Sequence, residues 1–376
     1  MVVEEFLKLV SINSDSTHEK NIAEYLFQRL NGLGCTCKFD DSMEKTGSDV
    51  GNLLAFFPGN TPGAPTLLLC AHMDTITSTE GMVPVIKDGV IYSDGAHILG
   101  GDDKAGLAII ITALENLHNN HELEHGDIEI LFTVQEERGL VGAKNFDMSL
   151  LHSKYAYVLD NSTRIGTLVF RSPTRITLNI SVEGKAAHAG LEPEHGINAI
   201  VVAAHAISKL RFGRIDEETT SNIGVVHGGK AKNIVANHVE MVVEIRSRSD
   251  EKLQREFDNL VSCFQKTADE WGAEFKYART YDYIGFNIDP HALLITNAEK
   301  AAEELGIEWE LVETGAGLDA NIFNAQGLPS IAMGIGVSHF HSETECAPIE
   351  QLCKGAEYMT KIISTFAEKS PQKHNY

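Results

Sequence analysis

Short apolar runs alternate with segments of helical periodicity over the first 170 residues of the chain. The pattern predicts strands at 66–70 (TLLLC), 128–134 (IEILFTV) and 155–160 (YAYVLD), and a helix from about Lys104 to Leu117. This alternation is typical of an α/β domain in which helices flank a mostly parallel sheet. We therefore predict that residues 1–171 form the first segment of such a domain.

A different order of elements follows in residues 172–285. The pattern there predicts strand, helix, two strands, helix and strand, and this βαββαβ order suits a small α+β domain. The first rhythm then resumes, with predicted helices at 291–305 and 349–366 and a strand in PSIAMGIG. The sequence thus predicts a discontinuous domain, 1–171 with 286–376, that carries the second domain as an insertion.

Composition and charge exclude several classes of partner. The 376 residues are 43% hydrophobic with a formal net charge of -22, which opposes binding to nucleic acid and to anionic lipid. No run of about 18 apolar residues predicts a membrane span. The N-terminal stretch MVVEEFLKLVSINS lacks the basic start and cleavage site of a secretory signal. Six sparse cysteines without a CxxC pair favour reduced thiols, so we expect a cytoplasmic protein.

Polar side chains follow the ends of several predicted strands. His72 and Asp74 come after TLLLC, Glu136 and Glu137 follow IEILFTV, and Asp160 ends YAYVLD. In open α/β sheets, ligands bind beyond the carboxyl ends of the strands. We therefore expect these five side chains to meet at one edge of the sheet.

Two more groups belong to the same predicted edge. Asp102, in GGDDKAG, stands at a helix start, where backbone N–H groups stabilise a carboxylate, and His341 follows PSIAMGIG, with His339 as its alternative. So many carboxylates stay ionised in a small volume only if a cation neutralises them. Imidazoles and carboxylates without paired thiolates favour zinc, with cobalt or manganese as substitutes, and the number of carboxylates favours two ions.

The adjacent glutamates of TVQEERG fit such a site. Neighbouring side chains of an extended segment point to opposite sides, so one glutamate can ligate a metal while the other holds a water. The same period puts His72 and Asp74 on one face. We expect Asp74 to accept the second ring N–H of His72 and to fix its tautomer.

Together, AHMDT, GGDDKAG, TVQEERG, the aspartate of VLDN, and HFHSETE resemble the motifs of the zinc peptidase family M20, especially its peptidase T (tripeptide aminopeptidase) branch. The motifs occur in order along nearly the whole chain, and GKAAHAG, GINAI and EIRSRSD resemble the family's lid domain. The resemblance implies a di-zinc metallopeptidase acting on short peptides. It also implies that the inserted domain serves as a lid and as the contact of a homodimer.

The resemblance further implies the ligands of two zinc ions. They are Asp102 between the ions, His72 and Asp160 on the first ion, and Glu137 and His341 on the second. The spacing between His341 and Glu345 in HSETE matches the family and favours His341 over His339 as the ligand.

The same resemblance implies the catalytic groups. Glu136 would be the general base, taking a proton from a metal-bridging water as that water attacks the scissile carbonyl and later passing it to the leaving amine. Asp74 would orient His72. The neighbouring Asp103 and the Asp319 of TGAGLDAN are expected to have structural roles.

Three residues of the inserted domain resemble substrate-binding residues of the family. His188 resembles a histidine that stabilises the tetrahedral oxyanion, and Arg246 resembles an arginine that binds substrate carboxylate or backbone, with Arg248 as its alternative. Asn233 resembles a substrate-binding asparagine.

The substrate is less specified than the metal site. Tripeptidase T proper carries an arginine and a threonine in the loop that reads TGAGLD here, where Gly315 and Leu318 stand instead. A dipeptidase, a carboxypeptidase or a deacylase with the same metals is therefore an alternative. A metal-dependent binding protein without turnover is another, but such a protein would have no reason to keep Glu136.

Overall fold

Helices and strands alternate along most of the chain in the computed structural model, which describes residues 1–368. The helices are α1 (Val2–Val10), α2 (Lys20–Gly32), α3 (Met43–Thr46), α4 (Gly101–Asn119), α5 (Val141–Asn145), α6 (Ala199–Ser208), α7 (Asp250–Trp271), α8 (Leu293–Leu305), α9 (Asp319–Ala325) and α10 (Ile349–Glu368). The strands are β1 (Thr36–Phe39), β2 (Leu53–Phe57), β3 (Leu67–His72), β4 (Val85–Lys87), β5 (Val90–Tyr92), β6 (Ile128–Thr133), β7 (Tyr155–Asn161), β8 (Thr167–Ser172), β9 (Thr174–Glu183), β10 (Gly213–Arg214), β11 (Thr219–Gly228), β12 (His238–Ser247), β13 (Glu274–Tyr283), β14 (Phe286–Asn287), β15 (Glu310–Glu313), β16 (Ser330–Gly334) and β17 (Cys346–Pro348). None of the helices within these residues is long and apolar enough to cross a membrane.

The chain divides into two compact units. Within the described residues, the first contains Met1–Phe170, Asn287–Glu313 and 318–368, and the second contains Arg171–Phe286 and Thr314–Gly317. The sequence had assigned 314–317 to the first domain, whereas the structure groups this segment with the second unit. Arg246 and Arg248 explain the difference, because they donate hydrogen bonds to the carbonyl oxygens of Gly315 and Thr314.

A nine-stranded sheet forms the centre of the first unit. Its order is β1-β2-β6-β3-β7-β16-β8-β14, with β15 paired to β8. The four strands β6, β3, β7 and β16 run parallel, whereas β2 is antiparallel to both β1 and β6, and β8 is antiparallel to β16. Buried parallel strands are apolar throughout, and every residue of β3 and β6 is buried. The predicted fold, a largely parallel sheet with flanking helices and a separate sheet domain, is confirmed.

The parallel register brings strand ends together. His72, the last residue of β3, pairs with Thr133, the last residue of β6, while Cys70 of β3 pairs with Val158 of β7. The loops that follow β3, β6 and β7 therefore start side by side at one edge of the sheet.

Gly106 allows the first turn of α4 to approach this edge. A Cβ atom at Gly106 would lie 2.3 Å from Oδ1 of Asp103 and 2.5 Å from the carbonyl oxygen of Leu159 in β7. Any larger residue would push α4 away from β7. Gly106, the last glycine of GGDDKAG, is thus required by packing. It keeps Asp102 and Asp103 close to the strand ends.

The second unit is a five-stranded antiparallel sheet with two helices. Its strand order is β10-β11-β12-β9-β13, and its long elements follow the predicted βαββαβ order. Buried residues alternate along β12, and α6 and α7 pack on the apolar face of the sheet. Helix α7 begins at a Ser249 cap, whose hydroxyl accepts from the Lys252 N–H, and ends at Gly272 with φ of 67°.

Candidate metal centre and active site

Asp102 lies between two histidines in the first unit. Its Oδ1 is 3.1 Å from Nε2 of His72, and its Oδ2 is 3.1 Å from Nε2 of His341. Each carboxylate oxygen therefore faces a different imidazole. A carboxylate placed in this way can share two cations, one on each oxygen.

The other predicted carboxylate ligands divide between the same two histidines. Glu137 Oε1 is 2.8 Å from His341 Nε2, and Asp160 Oδ1 is 3.8 Å from His72 Nε2. Two ligands of a tetrahedral zinc ion are about 3.3 Å apart when each bond is close to 2.0 Å. The separations here are close to that value, so this donor set fits two cations.

Donor atoms also converge in two groups of three. In each group, ligand atoms lie within 4.8 Å of one another, the groups being His72, Glu136 and Asp160, and His72, Asp102 and Glu137. The two adjacent glutamates thus belong to different groups. They do so from a bend and a turn beyond β6, and not from the extended segment that the sequence predicted. The structure brings all five predicted ligands and Glu136 to one place.

His341, and not His339, faces the other ligands. The sequence left both open before the spacing to Glu345 was considered, and the structure sets His341 against Asp102 and Glu137. His339 and His341 both have a positive φ, 62° and 61°, so the backbone conformation does not distinguish them and the contacts of the side chain do.

Asp74 has more partners than the sequence predicts. His72 Nδ1 is 2.9 Å from the backbone carbonyl oxygen of Asp74 and 3.3 Å from its carboxylate Oδ1. The carboxylate also accepts the backbone N–H groups of Glu136, at 2.9 Å on Oδ1, and of Glu137, at 3.3 Å on Oδ2. Asp74 therefore holds the glutamate pair as well as facing the histidine.

Burial and like charge shape the protonation of the cluster. Withdrawal from water raises the pKa of Asp160 and of Glu136 well above their ordinary values, and neighbouring carboxylates add to the effect. Although burial alone would raise it, hydrogen bonds from two histidines keep the pKa of Asp102 below its ordinary value. Hydrogen bonds to Asp102 and Glu137 raise the pKa of His341 to about 10. A bound cation would offset the repulsion among these carboxylates.

Two buried carboxylates outside the predicted ligand set support the site. Asp319 accepts the hydroxyl of Thr133 at 2.6 Å and the thiol of Cys70 at 3.9 Å on its Oδ2, so it ties the ends of β3 and β6. Glu345 accepts the backbone N–H groups of Gly100 and Asp102, at 2.8 Å and 3.0 Å. No role was predicted for Glu345, although its place four residues after His341 was a signal.

His188 and Asn233 lie next to each other in the second unit. The Asn233 carbonyl oxygen accepts the N–H of Ala189, and both His188 and Asn233 are exposed. His188 Nδ1 accepts the N–H groups of Gly190 and Leu191, at 3.2 Å and 3.1 Å. In the neutral ring the proton then sits on Nε2, which leaves Nε2 as a donor.

Arg246 is held in place on β12. Its Nε and Nη2 donate to the Glu244 carboxylate at 3.1 Å and 3.2 Å, and its Nη1 donates to the carbonyl oxygen of Gly315 at 3.1 Å. Arg248, the alternative, donates from Nη2 to the carbonyl oxygen of Glu217 at 2.7 Å. Both arginines therefore lie beside the segment 314–317 within the second unit.

Comparison with known proteins identifies similar chains. The sequence model of peptidase family M20/M25/M40 matches residues 68–365. The chain is 39% identical to the uncharacterized protein YqjE of Bacillus subtilis over 98% of each sequence. Among solved structures, it resembles the aminopeptidase PepT of Bacillus cereus, with a TM-score of 0.91, 39% identity, and coverage of 97% of this chain and 98% of that one. It also resembles a tripeptidase of Staphylococcus aureus, with a TM-score of 0.93, 36% identity, and 98% of each chain covered.

Proposed function

The chain belongs to peptidase family M20/M25/M40, in its peptidase T-like branch, and we propose that it is a di-zinc aminopeptidase that hydrolyses short peptides, tripeptides in particular. The observation that carries the proposal is the position of Asp102, with one carboxylate oxygen on each of His72 and His341. In this proposal His72 and Asp160 hold one zinc ion, Glu137 and His341 hold the other, and Asp102 is shared. Cobalt or manganese can take the place of zinc.

Zinc bound there would polarise the scissile carbonyl and lower the pKa of the attacking water. Glu136 takes the proton of that water and later delivers it to the leaving amine. Its carboxylate lies within 4.8 Å of donor atoms of both His72 and Asp160, so it borders the ligand cluster. Burial, with the charge of Asp160, raises the pKa of the Glu136 carboxyl well above its usual range.

Residues of the second unit are proposed to bind the substrate. The Nε2–H of His188 would donate to the oxyanion that forms on the carbonyl, and Asn233 would bind substrate beside it. Arg246 keeps its guanidinium between Glu244 and Gly315 and would contact the substrate carboxylate or backbone. In this proposal residues 172–285 serve as a lid domain, and residues 1–171 and 286–376 form the domain that holds the metals.

A substrate panel tests this proposal. We expect a free tripeptide to be hydrolysed, an N-acetylated tripeptide to lose about 10²-fold or more in kcat/KM, and a C-amidated tripeptide to lose far less. The reason is that an aminopeptidase acts at the free amine of its substrate, and acetylation removes the charge of that amine. Amidation leaves an amide or backbone oxygen that Arg246 can still contact. The measurement is steady-state kinetics on the three peptides, with product identified by mass spectrometry.

The opposite order would support the alternative within the family. If the free amine were dispensable and the carboxylate essential, the protein would be a carboxypeptidase or a deacylase. A dipeptidase would prefer dipeptides over the whole panel. These alternatives remain because the loop of tripeptidase T carries an arginine and a threonine, whereas Gly315 and Leu318 stand in this loop here.

We also propose a homodimer that forms through the second unit. Beyond the two-residue β10, the outer edge of β11 pairs with no strand of the described chain, and it carries the exposed residues Val225 and Val226. An exposed apolar edge strand is a surface on which another strand can add. A second copy of the chain would cover it by extending the sheet across a two-fold axis.

Sedimentation velocity checks the dimer. We expect the wild type to sediment at twice the chain mass of 41.1 kDa and Val226→Lys to shift toward the monomer, because a charge on the edge opposes strand addition. Val83→Lys is the matched control, since Val83 is exposed in the first unit. A monomeric wild type at working concentration would end this part of the proposal.

We propose a cytoplasmic location because the cysteines form no disulfide bonds. All six cysteines are free thiols, and Cys35 and Cys70 are buried. Burial raises the pKa of the Cys35 thiol to about 12, which keeps it unreactive. Thiols that serve as packing groups are typical of a reducing compartment.

A further inference from the structure

Four successive backbone N–H groups beyond the end of β6 have side-chain acceptors. Val134 donates to Asn52 Oδ1 at 3.0 Å, Gln135 to Glu19 Oε1 at 3.1 Å, Glu136 to Asp74 Oδ1 at 2.9 Å, and Glu137 to Asp74 Oδ2 at 3.3 Å. Buried N–H groups need partners, and these find none in a strand ladder because β6 has ended. The segment is instead fixed by three side chains from elsewhere in the first unit.

The two carboxylate acceptors are themselves held by hydroxyl groups. Ser16 Oγ donates to Asp74 Oδ2 at 2.6 Å, and Ser48 Oγ donates to Glu19 Oε2. Glu19 and Asp74 are completely buried. Both oxygens of each carboxylate therefore accept hydrogen bonds, and two buried side chains held in this way can fix a loop that has no regular structure.

The held segment needs such support. Gln135 has φ of 49°, a left-handed conformation that costs about 1 kcal/mol or more for a residue with a side chain. The residues that follow it, Glu136 and Glu137, serve different groups of the metal site. A displacement of the segment by a fraction of an ångström would misplace both, and catalytic groups tolerate errors of only about 0.5 Å.

We propose that Glu19, with Ser48, is a positioning residue for the reaction, acting through the backbone of Gln135 on the base Glu136 and the ligand Glu137. The inference rests on the proposed function for the roles of these two glutamates. Glu19 touches neither substrate nor metal in this view. It fixes the backbone from which both groups project, and it comes from a stretch, STHE, that precedes α2 and carries no motif of the metal site.

The chain offers a matched control on the same strand. Glu129, near the start of β6, is also a buried carboxylate that accepts backbone N–H groups, from His152 at 3.0 Å and from Ser153 at 2.9 Å. It therefore has the chemistry of Glu19 at the opposite end of the strand. Loss of Glu129 removes a buried carboxylate that accepts backbone N–H groups, but it removes no contact of the segment 135–137.

Glu19→Ala and Glu129→Ala are compared by kinetics, by thermal melting, and by zinc affinity of the metal-free proteins in competition with a chromophoric chelator. We expect Glu19→Ala to lower kcat about 10- to 100-fold and to change KM less than about threefold. We also expect the affinity for one of the two zinc ions to fall about tenfold, as is usual when a residue that holds a metal ligand in place is lost. Glu129→Ala should lower the melting temperature with kcat and zinc affinity within about twofold of the wild type. Glu19→Gln keeps one acceptor oxygen and should show smaller losses; it carries the test if the alanine variant does not fold.

A double-mutant cycle separates positioning from general destabilisation. If Glu19 acts through Glu136, adding Glu19→Ala to Glu136→Gln should lower the remaining rate less than about threefold, because the base is already gone. Equal losses in both backgrounds with unchanged zinc affinity, or unchanged kcat and zinc affinity in Glu19→Ala, would overturn the inference while leaving the proposed function intact. Near-normal turnover of Glu136→Gln alone would overturn the proposed function instead, and the zinc titration would then decide whether Glu19 positions Glu137.

Discussion

Replacing Glu136 with glutamine is expected to lower kcat by about 10²- to 10⁴-fold while the protein still binds two zinc ions. Glutamine keeps the shape of the side chain and the backbone N–H that donates to Asp74 at 2.9 Å, but its amide cannot take a proton from water. The substitution therefore removes the base and keeps the packing of the side chain. Steady-state kinetics with a tripeptide gives the rate, and plasma emission spectrometry gives the zinc content of the same preparation.

Glu137→Gln is the contrasting variant for this test. Glu137 lies 2.8 Å from His341 Nε2, so its loss should remove one zinc equivalent along with activity. Glu136→Gln would thus keep both zinc ions, whereas Glu137→Gln would lose one of them. Loss of zinc in Glu136→Gln, or near-normal turnover, would mean that the two glutamates have been assigned to the wrong roles.

The sequence was sufficient to predict the elements that carry the site. Strands β3, β6 and β7 are apolar over most of their length, and such runs remain visible without any knowledge of their neighbours. The polar residues at their ends, such as His72 and Asp160, stand out against those runs. Because parallel strands end at a common edge, their convergence follows from topology alone.

Shorter elements were not predicted from the pattern. Strand β2 (LLAFF) has only five residues, and β4 and β5, which form a hairpin, have three residues each. A short apolar run does not distinguish a strand from a helix. Helix α9 begins at Asp319, inside a loop rich in glycine. Tertiary packing against β16 and β7, which the local sequence does not encode, decides its conformation.

The supporting contacts were the least predictable part of the site. Glu19 and Gln135 are 116 residues apart, and Glu345 and Gly100 are 245 residues apart, so no local spacing points to either contact. The prediction for Asp74 was incomplete for a related reason. Its carboxylate was assigned only to a histidine two residues away, whereas it also accepts the backbone N–H groups of Glu136 and Glu137, which are 62 and 63 residues away.

The family is more firmly established than the substrate for a physical reason. The five proposed ligands and the proposed base must meet within a few ångströms, so their identities and order are strongly constrained. The proposed substrate-binding groups are spread over a loop and a strand, and Gly315 offers only its carbonyl oxygen, which accepts from Arg246. A single additional or missing hydrogen bond to the substrate can change which peptide terminus is bound. The kinetic panel, and not the fold, must therefore decide between a tripeptidase and its alternatives.

Replacing Asp102 with alanine is expected to have a still larger effect, with zinc content falling from two ions to none at micromolar free zinc and activity falling to background. Asp102 is the one predicted ligand that lies 3.1 Å from both histidines, so its loss removes a ligand from each ion at once. The wild type stripped with a chelator should lose activity and regain it when zinc is returned. Zinc should also raise its melting temperature, since an ion that binds only the folded state stabilises it by about 2.7 kcal/mol at 100 times the dissociation constant.

Asp103→Asn is the control for this prediction, because it changes the neighbouring carboxylate of the same motif. Asp103 accepts the backbone N–H groups of His72 and Gly106, both at 3.1 Å, and the asparagine retains an acceptor oxygen. We expect this variant to be less stable but to keep two zinc ions and to respond to added zinc, whereas Asp102→Ala should show no thermal shift. If Asp102→Ala kept both ions, the two sites could not depend on a shared carboxylate, and the charges of Glu137 and Asp160 would have to be neutralised in some other way.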